Sequence, residues 1–382
     1  MIYKPREDSR LLAKQVRKYA FGLVLDIGTG CGVQALEAAK KRNVSKVIAV
    51  DVQKDVIEYC KKNIKNKKIK FVISNLFSNI NKKFVTIIFN PPYLPEDVRL
   101  KDLTINGGKK GYEIIEMFLN EVNNYLKPNG IILIVFSSLT KKEKIDEFII
   151  KNLLEFRLLN KEHIFFEELY VYLIKKSRTL IKLEKKQIKN IGYLTKGHRG
   201  ILFTGDYKNK KITIKIKNPE SKAKGRIENE AKWLKLLNKY KIGPKLLFFE
   251  KDFFVYEFVR GDLIIDYLKN NDKKRIMKVL KDIFNQLYFM DKLMVDKEEM
   301  HHPLKHIIIR KKVSLLDFER CHKTKKPKNV TQFCDFISSR YVLSILKNKK
   351  IRINKKRMIE LAKGYKKNQN RNNLYRIIDG IR

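Results

Sequence analysis

The four consecutive residues Asn90, Pro91, Pro92 and Tyr93 carry the most specific chemistry in the sequence. They follow the apolar run Phe84–Phe89, which predicts a buried strand. The two prolines fix φ and lack an N–H, so the carbonyl oxygens there meet few competing donors. With the side-chain oxygen of Asn90 and the ring of Tyr93, they could hold a planar NH2 group by its hydrogens and its π surface. A simple proline turn that ends a strand is the alternative interpretation.

A glycine-rich segment nearer the N-terminus has the pattern of a cofactor-binding turn. It follows a predicted strand, opens a predicted helix and reads Asp26-Ile27-Gly28-Thr29-Gly30-Cys31-Gly32. Glycines let a backbone approach a ligand closely, and a helix N-terminus favours an anion or a hydrogen-bonding group. Asp51 ends the next predicted strand, where a carboxylate can accept both hydroxyls of a ribose. A tight strand-to-helix turn without a ligand is the alternative.

The spacing of this turn favours S-adenosylmethionine over a dinucleotide. The glycines form Gly-x-Gly-x-Gly rather than the Gly-x-Gly-x-x-Gly of turns that bind a pyrophosphate. Asp26 lies two residues before the first glycine, where a carboxylate repels phosphate and suits the amino-acid part of S-adenosylmethionine. After the third predicted strand, Asn75, Leu76 and Phe77 offer one polar and two apolar side chains to an adenine.

Alternating strands and helices predict a doubly wound α/β sheet over residues 21–176. We predict strands at Leu23–Ile27, Lys46–Asp51, Lys70–Ser74, Val85–Asn90 and Ile131–Ser137, and a closing hairpin of Leu158–Lys161 with Leu169–Lys175. We predict helices at Leu11–Tyr19, Gln34–Lys41, Lys54–Asn63, Tyr112–Tyr125 and Lys142–Leu154. The segment before the first helix could cap the site.

These motifs together resemble those of the class I S-adenosylmethionine-dependent methyltransferases. Asn90 to Tyr93, combined with the N-terminal pattern Tyr3-x-Pro5-x-x-Asp8-Ser9, is similar to the protein-glutamine N5-methyltransferases that act on translation termination factors. The short N-terminus is similar to the archaeal and eukaryotic branch of that family, which has no separate helical recognition domain. The resemblance covers about residues 1–176 and implies a seven-stranded Rossmann-like domain.

The resemblance also implies a role for each matching residue. The cofactor would be bound by Asp26, Ile27, Gly28, Thr29, Gly30, Gly32 and Asp51, with Asn75 and Leu76 beside the adenine, and the methyl acceptor by Asn90, Pro91, Pro92 and Tyr93, of which Asn90 also borders the cofactor. Asn75 stands where the family more often has Asp. The loop Gly107–Gly111 carries lysines where acidic residues are common. A small zinc-binding activator protein is an implied partner, as in eukaryotic relatives.

The acceptor implied by the resemblance is the glutamine of a Gly-Gly-Gln sequence in a peptide chain release factor. An amide nitrogen is a poor nucleophile because its lone pair is delocalised. Acceptors at Asn90 and Pro91 would bind its two hydrogens as positive charge builds on it. No general base is needed before transfer, and we expect a surface or packing role for His163. The pocket could also take the amine of adenine N6 or cytosine N4, so nucleic-acid adenine methylation is the alternative function.

The second half of the chain differs in pattern and in charge. We predict a methyltransferase domain at 1–177, a polar linker at 178–188 and an α+β domain at 189–382. Predicted strands in the last part are Ile201–Thr204, Lys211–Lys217, Lys245–Phe249 and Phe253–Phe258. Of the net charge of +44, about +12 lies in residues 1–177 and about +32 in residues 178–382. Such charge favours association with RNA or the ribosome, or it reflects a lysine-rich proteome.

Residues 189–340 resemble the small atypical protein kinases of the archaeal Bud32-like and RIO-like group. The matching features include Gly197-His198-Arg199-Gly200 before a strand. By that likeness, Lys215 would contact the phosphates of ATP, Glu230 would orient Lys215, and Asp317 would hold Mg²⁺. A non-enzymatic nucleotide-binding or RNA-docking module is the alternative.

The segment that would form the catalytic loop of a kinase departs from the pattern of that group. Glu298 or Glu299 would replace the usual Asp base, and His306 the usual Asn. His301, His302 and His306 could instead bind a metal.

Composition sets the remaining expectations. Hydrophobic residues make up 43% of the chain, and no apolar run approaches the length of a membrane span. Because no signal-peptide pattern is visible either, we expect a cytoplasmic protein. The 4 cysteines are scattered without Cys-x-x-Cys pairs, so we expect neither a disulfide framework nor a zinc site.

Overall fold

The computed structural model describes residues 5–96, 106–197, 199–218 and 226–382. The chain forms two compact units, Met1–Gln187 and Ile188–Arg382. Tyr3 of the N-terminal motif and His198 lie outside the described residues. None of the helices in the described ranges combines the length and apolar character that crossing a bilayer demands.

Among the described residues of the first unit, seven strands form one sheet in the order β3-β2-β1-β4-β5-β7-β6. Neighbours from β3 to β5 are parallel, whereas β7 is antiparallel to both β5 and β6. The strands are β1 Gly22–Ile27, β2 Val44–Asp51, β3 Ile69–Ile73, β4 Phe84–Phe89, β5 Leu126–Ser137, β6 Leu154–Ile164 and β7 Glu167–Lys176. This is the predicted Rossmann-like sheet with its closing hairpin.

In the described residues of this unit, one helix precedes the first strand, four connect strands and one follows the last strand. They are α1 Glu7–Tyr19, α2 Val33–Ala39, α3 Lys54–Asn63, α4 Glu113–Glu121, α5 Lys142–Lys151 and α6 Arg178–Lys185. Apolar residues recur along α1 at the spacing of a buried helix face, and Leu11, Leu12 and Val16 are buried there. They join a core that includes Val24 and Ala35, so α1 is fixed against the sheet beside the glycine turn.

Several elements differ from their predicted bounds. The closing hairpin is longer than predicted, because β6 already begins at Leu154, and α5 therefore ends at Lys151. Helix α4 ends at Glu121 and a short 3₁₀ turn follows it. Residues predicted as a linker contain α6, capped by the Ser177 side chain and holding Leu180 and Leu183 in the core. The lysine-rich composition of this segment led to the prediction of a linker, although these two leucines are apolar.

The second unit combines an antiparallel sheet with a largely helical part. Within its described residues, the largest sheet has the strand order β11-β12-β10-β9-β8. The strands of the unit are β8 Lys189–Lys196, β9 Gly200–Tyr207, β10 Lys210–Lys217, β11 Leu246–Glu250, β12 Phe253–Glu257, β13 Asp262–Leu263, β14 Val295–Asp296, β15 Ile307–Ile309, β16 Val313–Leu315 and β17 His322–Lys323. Its helices are α7 Arg226–Leu237, α8 Ile264–Asn270, α9 Lys273–Lys292, α10 Asn329–Ile337, α11 Arg340–Asn348, α12 Lys355–Lys367 and α13 Arg371–Asp379. The unit is α+β, as its sequence pattern predicts.

Candidate active site

The two sequence motifs meet where the strand order of the first sheet reverses. Strands β1 and β4 are parallel neighbours, and Ile27 at the end of β1 is in register with Phe89 at the end of β4. The next residues, Gly28 and Asn90, therefore leave the sheet side by side. A Cβ placed on Gly28 would lie 3.8 Å from the Asn90 carbonyl oxygen. Ligands of doubly wound sheets bind at this kind of crevice.

The glycine turn depends on backbone conformations that suit glycine. Gly28, Gly30 and Gly32 all have positive φ, and a Cβ at Gly32 would lie 2.4 Å from Ile64 Cδ1. Asp26 lies beneath the turn, 1% exposed, and accepts a hydrogen bond of 2.7 Å from Thr29 Oγ1. Burial raises the pKa of Asp26 to about 7, although the bonds from Thr29 and from the Ala35 backbone oppose that rise.

Asp51 presents a carboxylate that the backbone holds on both sides. Its Oδ2 accepts from Gly30 N at 3.0 Å, and its Oδ1 accepts from Gln53 N at 3.1 Å. Burial raises its pKa, and the backbone N–H groups of Gln53, Gly30 and Val52 lower it. A carboxylate has about four acceptor sites, so the group can still accept from a hydroxyl donor.

A cavity of about 610 Å³ opens at this edge of the sheet. Its volume lies in the usual range for a small-molecule site. Most of the residues predicted to bind cofactor or acceptor line it, namely Ile27, Gly28, Thr29, Gly30, Asp51, Asn75, Leu76, Asn90, Pro91, Pro92 and Tyr93.

Three predicted residues lie behind the wall of this cavity. Asp26 and Gly32 are buried and support the conformation of the glycine turn; they do not line the cavity. Phe77, predicted to face an adenine, is 1% exposed and stacks on Tyr125 with ring centroids 4.3 Å apart. The prediction for Phe77 was wrong, because the core beneath β4 offered the ring more apolar contact than the cavity wall.

Asn90 has an amide whose orientation is fixed. Its Nδ2 donates to Asp8 Oδ2 at 3.1 Å and to Ser9 Oγ at 3.2 Å. A carboxylate only accepts hydrogen bonds, so Nδ2 must face Asp8. Oδ1 then points away from Asp8. Among the described residues, this buried Oδ1 has no hydrogen-bond partner. A buried acceptor without a donor is costly, so its persistence points to a ligand.

Helix α1 delivers the two residues that hold Asn90. Asp8 and Ser9 are 4% and 2% exposed in its first turn, and Tyr93 also donates to Asp8 Oδ2, at 3.4 Å. Gln34 Nε2 donates to the Ser9 carbonyl at 2.9 Å and so ties α1 to α2. The sequence predicted a cap from this segment. The hydrogen bonds from this segment to Asn90 could not be predicted from the sequence, because they depend on the fold. The Asp8-Ser9 pair was the one sequence signal for them.

The loop Gly107–Gly111 contacts the backbone of the proline segment from outside. A Cβ at Gly107 would lie 2.7 Å from the Pro92 carbonyl oxygen, and one at Gly111 would lie 2.6 Å from that of Tyr93. Gly107 N also donates to the Leu94 carbonyl at 2.9 Å. The glycines therefore allow close contact that fixes the segment. Lys110 donates its backbone N–H to Glu113.

Comparison with known proteins gives the first unit a family. Residues 6–166 match the model of the family described as methyltransferase small domain. A provisionally named protein N5-glutamine methyltransferase of Methanocaldococcus jannaschii is 41% identical over 154 residues, which cover 38% of this chain and 78% of that protein. The chain belongs to the methyltransferase small domain family.

Bacterial relatives match this methyltransferase over a smaller share of their own length. A release factor glutamine methyltransferase of Buchnera aphidicola is 39% identical over 24% of this chain and 35% of its own length. One of Haemophilus influenzae is 28% identical over 34% of this chain and 54% of its own length. This chain thus spans about a third to a half of these bacterial relatives. A chain from the E. cuniculi Mtq2-Trm112 complex aligns with a TM-score of 0.39 and 23% identity, over 46% of this chain and 99% of that chain.

S-adenosylmethionine is the methyl donor that this methyltransferase fold implies, and the residues present fit it. The wall offers backbone-held oxygens at Asp51 for ribose hydroxyls and an exposed backbone at Gly28 and Gly30. Asn75 and Leu76 add a polar and an apolar surface. Asn90, whose buried Oδ1 has no partner among the described residues, lines the same cavity.

The second unit has a separate cluster of charged side chains. Lys215 of β10 bonds Glu230 of α7 at 2.6 Å and approaches Asp317 at 3.4 Å. Burial would lower the pKa of Lys215, but the two carboxylates raise it above its ordinary value. Asp317 lies just after β16 with φ of 61°. Burial would raise its pKa, yet Lys215 and Lys297 hold it below the ordinary value.

Two further predicted residues join this cluster. His306 Nε2 lies 3.7 Å from Asp317 Oδ2, and His306 Nδ1 lies 3.4 Å from Glu299 Oε2. Burial, and then Lys297, lowers the pKa of His306 to about 4, so the ring is neutral at neutral pH. These three side chains are close enough to share a metal ion. Glu298 instead approaches His322.

His301 and His302 are exposed, and neither belongs to a metal-capable group among the described residues. Of the predicted histidine cluster, the structure therefore brings only His306 to the carboxylates.

Proposed function

We propose that the first unit transfers a methyl group from S-adenosylmethionine to the side-chain nitrogen of a protein glutamine, and that this is the glutamine of a Gly-Gly-Gln sequence in a peptide chain release factor. The observation that carries the proposal is Asn90, whose buried Oδ1 is left without a donor while Asp8 and Ser9 fix its Nδ2. A primary carboxamide is a ligand that supplies the missing N–H.

The residues of the acceptor side would act by positioning and by polarisation. Asn90 Oδ1 accepts one hydrogen of the acceptor NH2, and the neighbouring Pro91 carbonyl accepts the other. Both contacts strengthen as positive charge builds on nitrogen, which lowers the barrier. After transfer, the nitrogen releases one of its two protons to solvent, so the product amide is neutral. Tyr93 lines the cavity and offers its ring to the amide plane. When bound, S-adenosylmethionine supplies the electrophilic methyl, and Asp51 with the turn from Gly28 to Gly30 would hold it.

The charges along the cavity favour a protein over a nucleic acid. The charged residues of its described wall are Arg6, Glu7, Asp8, Asp51 and Glu167, so carboxylates outnumber cations. A nucleotide enters such a site with flanking phosphates, and enzymes that flip a base normally neutralise them with Lys or Arg. A glutamine in a peptide brings no charge. The names of the relatives, which refer to release factors, agree with this choice.

The test compares acceptors in parallel. Full-length protein and labelled S-adenosylmethionine are incubated with an archaeal release factor containing Gly-Gly-Gln, with adenine-bearing RNA, and with DNA, and products are read by mass spectrometry. We expect one methyl on the glutamine, lost in Asn90→Ala and retained in Asn43→Ala, an exposed asparagine outside the cavity. Methylated adenine with an unmodified release factor would establish the alternative. Normal activity of Asn90→Ala would refute the assigned site.

We also propose that the second unit binds ATP with a divalent cation in the manner of a protein kinase. Its support is the contact of Lys215 with both Glu230 and Asp317, together with Glu299 and His306 beside Asp317. Lys215 would bind phosphate oxygens, and Asp317 with His306 would hold the cation. Glu299, rather than Glu298, then has the place of the base.

The kinase-like proposal is tested by ATP turnover and by ATP binding. We expect both to fall at least tenfold in Asp317→Asn and to stay at the wild-type level in Asp252→Asn, an exposed carboxylate of the same unit. Binding without turnover would leave a nucleotide-dependent scaffold. If the wild type shows neither ATP turnover nor ATP binding but does bind RNA, the unit is an RNA-docking module, and its positive charge contributes to RNA binding.

A further inference from the structure

The turn between β6 and β7 carries two exposed phenylalanines where small residues are the rule. Ile164 pairs with Glu167, so Phe165 and Phe166 form a two-residue turn. Phe165 is 89% exposed with φ of 44°, and Phe166 is 99% exposed. Two-residue hairpin turns with positive φ normally use Gly, Asn or Asp, because a Cβ is strained there. Folding alone therefore gives no reason for this pair.

The same turn belongs to the wall of the catalytic cavity. Ile164, Phe165, Glu167 and Leu169 line it together with the acceptor residue Tyr93. Strained and exposed residues tend to persist where they serve a ligand. The apolar surface of the turn is thus continuous with the candidate acceptor site, in a segment that the sequence predicted only as part of a hairpin.

Glu167 adds a polar feature to this turn. Its Oε2 is buried, and among the described residues it has no hydrogen-bond partner. A carboxylate oxygen is an acceptor only, so the group it awaits is an N–H or O–H donor. In a peptide lying along the cavity wall, backbone amides supply such donors at regular intervals.

We infer that Phe165, Phe166 and Glu167 dock the polypeptide that carries the acceptor glutamine. The rings cover peptide groups and apolar side chains next to the glutamine, and Glu167 Oε2 accepts a backbone N–H. Glycines beside the acceptor leave the peptide planes open to the rings. This inference rests on the proposed function and adds a recognition element to it. Because docking precedes transfer, its residues act on the KM for the protein.

The experiment compares the double variant Phe165→Asn/Phe166→Ser with Glu167→Gln and with Tyr59→Ser, all in the full chain. Tyr59 is a half-exposed aromatic of α3 outside the cavity and serves as the matched control. The measurements are kcat and KM for a recombinant archaeal release factor, affinity for S-adenosylhomocysteine by calorimetry, thermal unfolding, and methylation of RNA.

We expect the double variant to raise the KM for the release factor at least tenfold with kcat within threefold, and Glu167→Gln to raise it about threefold to tenfold. Affinity for S-adenosylhomocysteine is unchanged and the unfolding temperature does not fall, because Asn relieves strain at the turn. Wild-type KM in the double variant, with the release factor still methylated, overturns the inference alone. Methylation of RNA and not of the release factor by the wild type overturns both the inference and the proposed function.

Discussion

Removal of the Asp8 carboxylate is the sharpest test of how the acceptor site is built. Asp8 Oδ2 receives Asn90 Nδ2 at 3.1 Å and lies 3.4 Å from the Tyr93 hydroxyl. In Asp8→Ala, the nearest remaining partner of Nδ2 is Ser9 Oγ, which can donate as well as accept. The amide of Asn90 can then turn over and present N–H groups, instead of Oδ1, to the acceptor nitrogen.

The size of the effect follows from the bond that is lost. A hydrogen bond to a charged group contributes roughly 1.5–3 kcal/mol, so Asp8 favours one amide orientation by about tenfold to 150-fold. Because Oδ1 matters most as positive charge builds, we expect kcat to fall about 10- to 100-fold in Asp8→Ala. Asp8→Asn keeps one acceptor oxygen and should lose less. Ser9→Ala removes a neutral partner and should lose about threefold to tenfold.

The assay is single-turnover methylation of the release factor with saturating S-adenosylmethionine, alongside calorimetry with S-adenosylhomocysteine. Affinity should stay within about threefold, since the glycine turn and Asp51 are untouched. Asp55→Ala is the control, because Asp55 also stands in the first turn of a helix, α3, and lies outside the cavity. Equal rates for Asp8→Ala and wild type, or an Asp8→Asn variant slower than Asp8→Ala, would refute the orienting role.

Three further outcomes are expected. Asp26 has a pKa raised from 3.8 to about 7, so its contribution to stability is complete below pH 3.8 and is lost as pH rises to 7. This loss is about 4 kcal/mol. Asp26→Asn should remove this part of the pH dependence of urea unfolding, measured by hydrogen exchange of β1 peptides, while the part due to Asp51 remains. Asp51→Asn should weaken S-adenosylhomocysteine binding 10- to 100-fold by calorimetry, with Glu58→Gln unchanged. Gly111→Ala should lower kcat at least tenfold, because its Cβ would lie 2.6 Å from the Tyr93 carbonyl oxygen, whereas Gly364→Ala, whose Cβ would meet nothing within 4 Å, should not.

The cofactor side of the cavity was more readable from sequence than the acceptor side, for a physical reason. A turn such as Gly28 to Gly32 favours glycine where φ is positive, so the residue types there indicate the backbone geometry. Asp51 is the last residue of β2, a strand whose apolar run the sequence shows directly. The parallel sheet was predictable because short apolar strands that alternate with helices are typical of a doubly wound α/β fold.

The acceptor side depends on contacts between residues far apart in the chain. Asp8 and Asn90 are 82 positions apart, and no local sequence pattern predicts that Asp8 orients the side-chain amide of Asn90. The exposed turn at Phe165 and Phe166 escaped prediction because its residue types contradict turn preferences. Local rules fail where a segment serves a ligand rather than its own fold, so such failures mark candidate sites.

The charge that moves during methyl transfer explains why an acidic cavity suits this basic protein. In the proposed reaction, transfer from a sulfonium to a neutral amide would move one positive charge onto nitrogen. Asp8 lies behind Asn90 at the receiving side, and its charge polarises the amide so that Oδ1 is a stronger acceptor as nitrogen becomes positive. A lysine near that point would oppose the same step. The net positive charge of the chain can therefore attract a polyanionic assembly without hindering transfer only if the cations lie outside the cavity. On the described part of the cavity wall, Arg6 is the one cation.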